Sequence, residues 1–275
     1  MDLNNLRLAV LIDAENVPCK HIKSIMEEIA IYGTPTIKRI YGDWTNPSVT
    51  NWKPALLENA ITPIQQYSYT YGKNSSDSAM IIDAMDILYT EKTDGFVIVS
   101  SDSDFTRLAI RLREAGQRVL GIGERKTPSP FIVACDKFTF IEVISGNGDE
   151  AAPADEKQPP EGDAASQNGG APAAKNGSGE RPRSRSGRGS RPQKIPKDVI
   201  TMIADSISDL SGDDEGVFMG ELGNLILKKQ PYFDCRNFGH KSLSALIKSI
   251  DRFDVDFRQT SDPNIKHPYV HDRES

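Results

Sequence analysis

Cysteine is scarce in this chain and poorly placed for structural chemistry. Cys19, Cys135 and Cys235 are far apart and odd in number, so they build neither a disulfide framework nor a zinc-binding spacing. The four histidines are scattered and supply no ligand pair at metal-binding spacing. Long hydrophobic runs are also missing, and nothing approaches the roughly 20 apolar residues of a membrane span. The opening residues, Met-Asp-Leu-Asn-Asn-Leu-Arg, lack the basic-then-apolar order of a secretory signal. Positive charge is not in excess either: the formal net charge is -6, so no global basic character marks a nucleic-acid partner. Together these absences lead to the expectation of a soluble, cytoplasmic protein in a reducing setting.

What is present is a regular alternation of strand and helix patterns. Leu8 to Ile12 is an apolar, β-branched run that stops on Asp13, followed by Ala14, Glu15 and Asn16. Pro18 opens a helical stretch in which Ile22, Ile25, Met26 and Ile29 recur at helical spacing, and Gly33 is expected to end it. Thr36 to Tyr41 reads as a second strand. A polar loop follows, flanked by Trp44 and Trp52, whose expected role is core or lid packing. A short helix near Pro54 to Asn59 and a third strand, Ile61 to Tyr67, come next. A loop over 69–76 leads into a helix from Asp77 to about Tyr89, where Asp77 lies in the first turn and complements the helix dipole.

Phe96 to Val99 is a short apolar run of the kind buried on both faces of a parallel sheet. It runs into Ser100, Ser101, Asp102, Ser103 and Asp104, and a helix from Phe105 to Ala115 ends at Gly116. Val119 to Ile122, a helical piece at Pro130 to Ala134 and a final strand over Phe138 to Ile144 complete the pattern. The fold class is therefore α/β, a mainly parallel sheet flanked by helices, over residues 1–145.

Residues 146–193 change character. They are rich in Gly, Ala, Pro and Ser, hold almost no large apolar side chains, and read as a disordered linker. Acids occupy its first half, whereas Arg181, Arg183, Arg185, Arg188 and Arg191 crowd the second. A flexible arginine tract can contact phosphates without sequence preference. Apolar periodicity resumes over 194–275: three helical patterns (Val199 to Leu210, Gly220 to Lys228, Ser242 to Ile250) precede a hairpin. Its strands are Phe253 to Phe257 and Pro268 to Val270, with the turn at Asp262-Pro263-Asn264. That order suits a small winged-helix module. Tyr232, Phe233 and Phe238 are assigned mainly to its core.

In a parallel sheet the carboxyl ends of all strands share one edge, where ligands gather. Asp13, Asp102 and Asp104 sit at strand ends and Asp77 at a helix start, so the four can converge although distant in sequence. Helix capping by Ser103 or Asp104 is the competing explanation for two of these positions. Clustered carboxylates repel one another and resist full ionisation. A divalent cation with oxygen preference removes that conflict, and Mg²⁺ (or Mn²⁺) suits a site that keeps several waters. Such an ion suits phosphodiester hydrolysis, because it lowers the pKa of water and offsets charge on phosphoryl oxygens. Asp83 and Asp86, further along the same helix, read first as a solvated face, with Asp83 left undecided. A haloacid-dehalogenase phosphotransfer site is excluded because Asp13-Ala14-Glu15 lacks the second Asp. A response-regulator receiver is excluded because its fifth-strand Lys is replaced by Gly121-Ile122-Gly123-Glu124.

Val10-Leu11-Ile12-Asp13-Ala14-Glu15-Asn16, Lys73-Asn74-Ser75-Ser76-Asp77 and Ser100-Ser101-Asp102-Ser103-Asp104-Phe105, in this order, resemble the NYN domain. This is a branch of the PIN-like ribonuclease superfamily, and the similarity is to its LabA-like group. One departure is Ser100-Ser101-Asp102, where the family often has Gly before Ser-Asp or Gly-Asp. The resemblance implies metal-dependent cleavage of RNA, with endo- versus exonucleolytic attack left open, and Asp13, Asp77, Asp102 and Asp104 as catalytic, metal-site acids. It implies that Asn16 and Ser101 orient substrate phosphate or metal water, and that Lys73 meets a phosphate. The C-terminal piece is similar to a LOTUS (OST-HTH) winged helix, which implies RNA as a partner, single-stranded or structured. The alternative is a catalytically silent RNA-binding or protein-interaction adaptor that keeps the fold. RNA versus DNA, the number of metals, protein partners and self-association are open at this level.

Overall fold

Strand β1 (Leu6–Asp13) is buried from Leu8 onward because it is paired on both sides, in parallel with β2 (Gly33–Gly42) and β4 (Gly95–Val99). The computed structural model describes residues 6–49, 51–67, 75–90, 92–145, 195–211, 216–259 and 266–274. With β3 (Thr62–Gln65), β5 (Arg118–Gly123) and β6 (Lys137–Phe140), these strands form one parallel sheet in the order β3-β2-β1-β4-β5-β6. Successive strand side chains point to opposite faces, and here both faces are covered. Leu8, Val10, Ile12, Val97 and Val99 pack on α1 (Ile22–Ala30), α2 (Trp52–Asn59) and α6 (Ile141–Ile144). Ala9, Leu11, Phe96 and Ile98 pack on α3 (Ser75–Thr90), α4 (Thr106–Glu114) and α5 (Ser129–Ala134).

The chain winds outward from β1 to β3, and α3 then carries it back to β4 for the second half. The reversal lies between β1 and β4, so their carboxyl ends diverge into the crevice where α/β sheets of this order hold ligands. Both predicted tryptophans serve packing. Trp52 is buried in the core, and Trp44 packs against it while its Nε1 donates to the Ile64 carbonyl at 2.9 Å.

Three local expectations need correction. Gly33 does not end α1 through a left-handed turn but opens β2, where a Cβ would lie 2.4 Å from the Leu6 carbonyl oxygen. The strand expected over Ile61 to Tyr67 is only Thr62–Gln65, because its partner β2 stops at Gly42. The strand expected over Phe138 to Ile144 divides: β5 ends at Gly123, so pairing stops at Phe140. Ile141 then turns into α6 and packs against the α1 side of the core. Gly116 behaves as read from sequence, ending α4 with φ of +81°.

Asp83 does not lie on a solvated helix face. Arg39 and the buried hydroxyl of Tyr41, both on β2, donate to its carboxylate and tie α3 to the sheet. Asp83→Ala strands both donors and should cost about 1–3 kcal/mol in urea denaturation. A change within error would show that the tie contributes nothing to stability.

The C-terminal segment forms a second unit: α7 (Lys197–Leu210), β7 (Val217–Phe218), α8 (Met219–Lys229), α9 (Leu243–Lys248), β8 (Phe253–Gln259) and β9 (Lys266–Asp272). Its antiparallel sheet runs β7-β9-β8, with Val255 opposite Val270 and Phe257 opposite Pro268. The three helices and the hairpin match the sequence reading. The two-residue β7 was too short to register as a pattern, and the expected turn at 262–264 lies outside the described residues. Phe233 is in the core with Phe238 packed beside it, whereas Tyr232 is exposed. All three cysteines are free thiols. Among the described residues no helix is long and apolar enough to cross a membrane.

Candidate active site and metal centre

The crevice between β1 and β4 is built on Asp13. Its carboxylate is 1% exposed and accepts four hydrogen bonds. Oδ1 takes the Glu15 N–H at 3.0 Å and the Asn16 N–H at 3.3 Å; Oδ2 takes Asn16 Nδ2 at 2.7 Å and Ser100 Oγ at 2.9 Å. A buried carboxylate is tolerable only with such donors, and three of these come from the turn that Asp13 itself starts. Ser100, fully buried, links the two strand ends, because its Oγ also accepts the Asp102 N–H at 3.1 Å. Ser100 is the residue that sequence reasoning missed. Its only signal was a hydroxyl at the strand end, where the related pattern often has glycine.

Asp102 leaves β4 with extended backbone and caps the next 3-10 turn, its Oδ1 accepting the Asp104 N–H at 2.9 Å. The cap thus falls on Asp102 rather than on Ser103 or Asp104, and it does not compete with a ligand role: the same bond fixes the carboxylate at the crevice. Asp77 is buried in the first turn of α3. Ligand oxygens of Asp77, Asp102 and Asp104 all lie within 4.8 Å of one another. Burial first, and then the charges of Asp13, Asp102, Asp104 and Glu15, together push the Asp77 carboxyl up to about 7.

That donor set fits a hard divalent cation. Three carboxylates at this spacing supply oxygen ligands only, and they grade from buried Asp77 through half-buried Asp102 to exposed Asp104. One side thus stays open for waters or a substrate oxygen. Asp13 is not in the three-acid group; its oxygens are held by the four donors, and its charge is felt at Asp77. Asn16 is likewise occupied with Asp13, and Ser101 Oγ accepts the Glu124 N–H at 2.9 Å, joining β4 to the end of β5. Asp83 lies outside the acid group, held by Arg39 and Tyr41. Lys73 and the tract from Arg181 through Arg183, Arg185 and Arg188 to Arg191 fall outside the described residues.

No curated protein matches the chain. Among solved structures it is similar to a protein of unknown function from Vibrio parahaemolyticus, with 19% identity and a TM-score of 0.44, covering 51% of this chain and 96% of that one. It is also similar to an uncharacterized protein from Nitrosomonas europaea, with 26% identity and a TM-score of 0.27, covering 36% and 91%. Residues 7–142 match the NYN domain, and residues 190–265 match the OST-HTH/LOTUS domain. The first match spans the whole parallel sheet with the acid crevice at its edge, and the second spans the helical part of the winged unit. This chain is an NYN-domain protein in which an OST-HTH/LOTUS domain follows the α/β domain.

Proposed function

We propose that this protein is a divalent-metal-dependent endoribonuclease. The observation that carries the reading is the convergence of Asp77, Asp102 and Asp104 at the sheet's carboxyl edge, with a carboxyl that cannot ionise comfortably without a cation. These three acids would hold Mg²⁺ or Mn²⁺. When bound, the ion supplies an acid that activates water and offsets charge on the phosphate. Asp13 lends its field and, through Ser100, holds the two strand ends at a fixed separation. The Asp104 N–H keeps Asp102 in its rotamer, and the Asp13 bonds keep Asn16 at the rim of the crevice.

In this reading the chain divides its labour: residues 1–145 cut, 146–193 tether, and 194–275 recruit RNA. An acidic edge repels phosphates, so affinity comes from elsewhere. Ser101, Lys73 and the arginines 181, 183, 185, 188 and 191 are the proposed phosphate contacts. The site is set up for a polymer in a crevice between two strand ends, which suits flexible or single-stranded RNA.

Internally labelled RNA and a matched DNA, incubated with Mg²⁺, Mn²⁺ or EDTA, test the reading. Wild type should cut the RNA internally with either metal and not in EDTA. Asp102→Asn keeps the oxygen that caps the 3-10 turn, yet should slow cleavage by at least about two orders of magnitude, roughly 2.7 kcal/mol of barrier. Wild type that binds RNA but cuts neither polymer, with Asp102→Asn binding equally, would instead make the protein a silent adaptor.

A further inference from the structure

Among the described residues, no buried apolar cluster is shared by the two domains. Two hydrophobic clusters flank the parallel sheet, and the third lies wholly between Val199 and Val270. What joins them is polar. Arg236, in the 3-10 turn Cys235–Phe238 of the OST-HTH domain, donates Nη1 to Glu28 Oε2 at 2.8 Å and Nη2 to Glu28 Oε1 at 2.7 Å. The same guanidinium is braced by its neighbour Asp234, with Nε and Nη2 donating to that carboxylate at 2.6–3.1 Å. Around this fork the NYN domain contributes Tyr32, whose hydroxyl donates to Glu28 Oε1 at 2.9 Å. It also contributes Lys137, whose ammonium lies 4.8 Å from the Tyr32 ring centroid. Two acids thus face two cations across the junction.

Glu28 is the odd residue of α1. It continues the spacing of Ile22 and Ile25 on the inward stripe, and its side chain is 3% exposed. A carboxylate so placed is costly unless it is paired. Arg236 supplies the pairing as two parallel bonds, the geometry that arginine and carboxylate match best. Two further bonds flank it. The Phe138 N–H, on the outer side of edge strand β6, donates to the Pro231 carbonyl at 2.9 Å, and Arg125 Nη2 donates to Asn237 Oδ1 at 3.4 Å. Arg125 follows Glu124, whose N–H is bound by Ser101 beside the acids. The docked turn therefore sits at the flank of the edge that carries the crevice.

We infer that the outer flank of β6 and α1 is a docking surface for the OST-HTH domain, with the Glu28–Arg236 pair as the latch that holds it closed. Because no buried apolar cluster of the described residues spans the junction, the guanidinium carries a large part of the balance between docked and released domains. On the nuclease reading above, the closed latch holds captured RNA at a set distance from the acid crevice, and opening it frees that distance.

Amide hydrogen exchange on the full chain tests the latch without RNA. Arg236→Met and Glu28→Gln each remove one partner from opposite domains. Both should speed exchange of the Phe138 amide about a hundredfold, while amides of β1 and β4 keep their wild-type rates. Unchanged Phe138 exchange in either variant overturns the latch. In parallel, cleavage of one long RNA should shift from a narrow set of positions in wild type to a broad set in Arg236→Met. An identical pattern overturns the positioning role. Failure of the wild type to cut RNA counts against the nuclease reading alone, because the exchange result decides the latch independently.

Discussion

At pH 8 and without metal, Asp77→Asn melts above the wild type, and it loses the upward shift that Mg²⁺ or Mn²⁺ gives the wild type. Both halves follow from one carboxyl raised from the ordinary 3.8 to about 7. Below about pH 4 the group is protonated in folded and unfolded chains alike, and it costs nothing. Between about 4 and 7 the unfolded chain ionises first, so folded stability falls as pH rises. Above about 7 the folded protein carries the whole penalty. Solvent at the open side screens it, which leaves about 1–2 kcal/mol, or roughly 3–6 °C in a domain of this size.

Asparagine has no charge to desolvate and no repulsion from Asp13, Asp102 and Asp104, so the variant's pH slope flattens over the same window. A bound cation relieves the same repulsion in the wild type and stabilises by about 2.7 kcal/mol at a hundred times its dissociation constant. Differential scanning calorimetry from pH 5 to 8, with EDTA or with metal, reads both effects. A metal-free variant that melts below wild type at pH 8, or one that keeps the full metal shift, would refute this account of the site.

The second large effect belongs to Asp13. Replacement by alanine should destabilise the protein by about 3–5 kcal/mol, at the high end for a single polar residue. The side chain satisfies two backbone N–H groups, the Asn16 amide and the buried Ser100 hydroxyl. Alanine leaves all four donors without that acceptor, the fully buried Ser100 hydroxyl among them. Asparagine keeps one acceptor oxygen but turns its own amide group toward a donor, so an intermediate loss of about 1–2 kcal/mol is expected. Urea denaturation monitored at the tryptophans orders wild type, Asp13→Asn and Asp13→Ala. Near-equal midpoints would mean that the four bonds contribute little and that Asp13 serves the site by charge alone. The comparison matters for activity assays as well: a dead Asp13→Ala protein reports a broken strand junction as readily as a lost acid, whereas Asp102→Asn does not.

The large elements were legible because each announces itself over a few neighbouring residues. Leu8 to Ile12 and Phe96 to Val99 are apolar throughout, as a strand covered on both faces requires, and Gly116 marks a left-handed helix end that few other residues tolerate. The four acids were found in the same way, from the rule that parallel strands present their carboxyl ends on one edge. Sequence alone thus determined the α/β sheet, the winged module and the candidates Asp13, Asp77, Asp102 and Asp104.

Tertiary structure decided how those residues are used. It grouped Asp77 with Asp102 and Asp104, left Asp13 outside that group, and gave Ser100 the bond that joins two strand ends across 87 positions. It kept Asp83 out of the acid group by pairing it with Arg39, 44 positions away. It also buried Glu28 on a helix stripe because Arg236, 208 positions distant, covers it. It cut short the last strand at Phe140, where its partner ended. Local periodicity is written in adjacent residues, since backbone geometry and apolar burial act over a few positions. The partner of a buried charge is written nowhere near it, because only the folded chain brings the two within hydrogen-bonding distance.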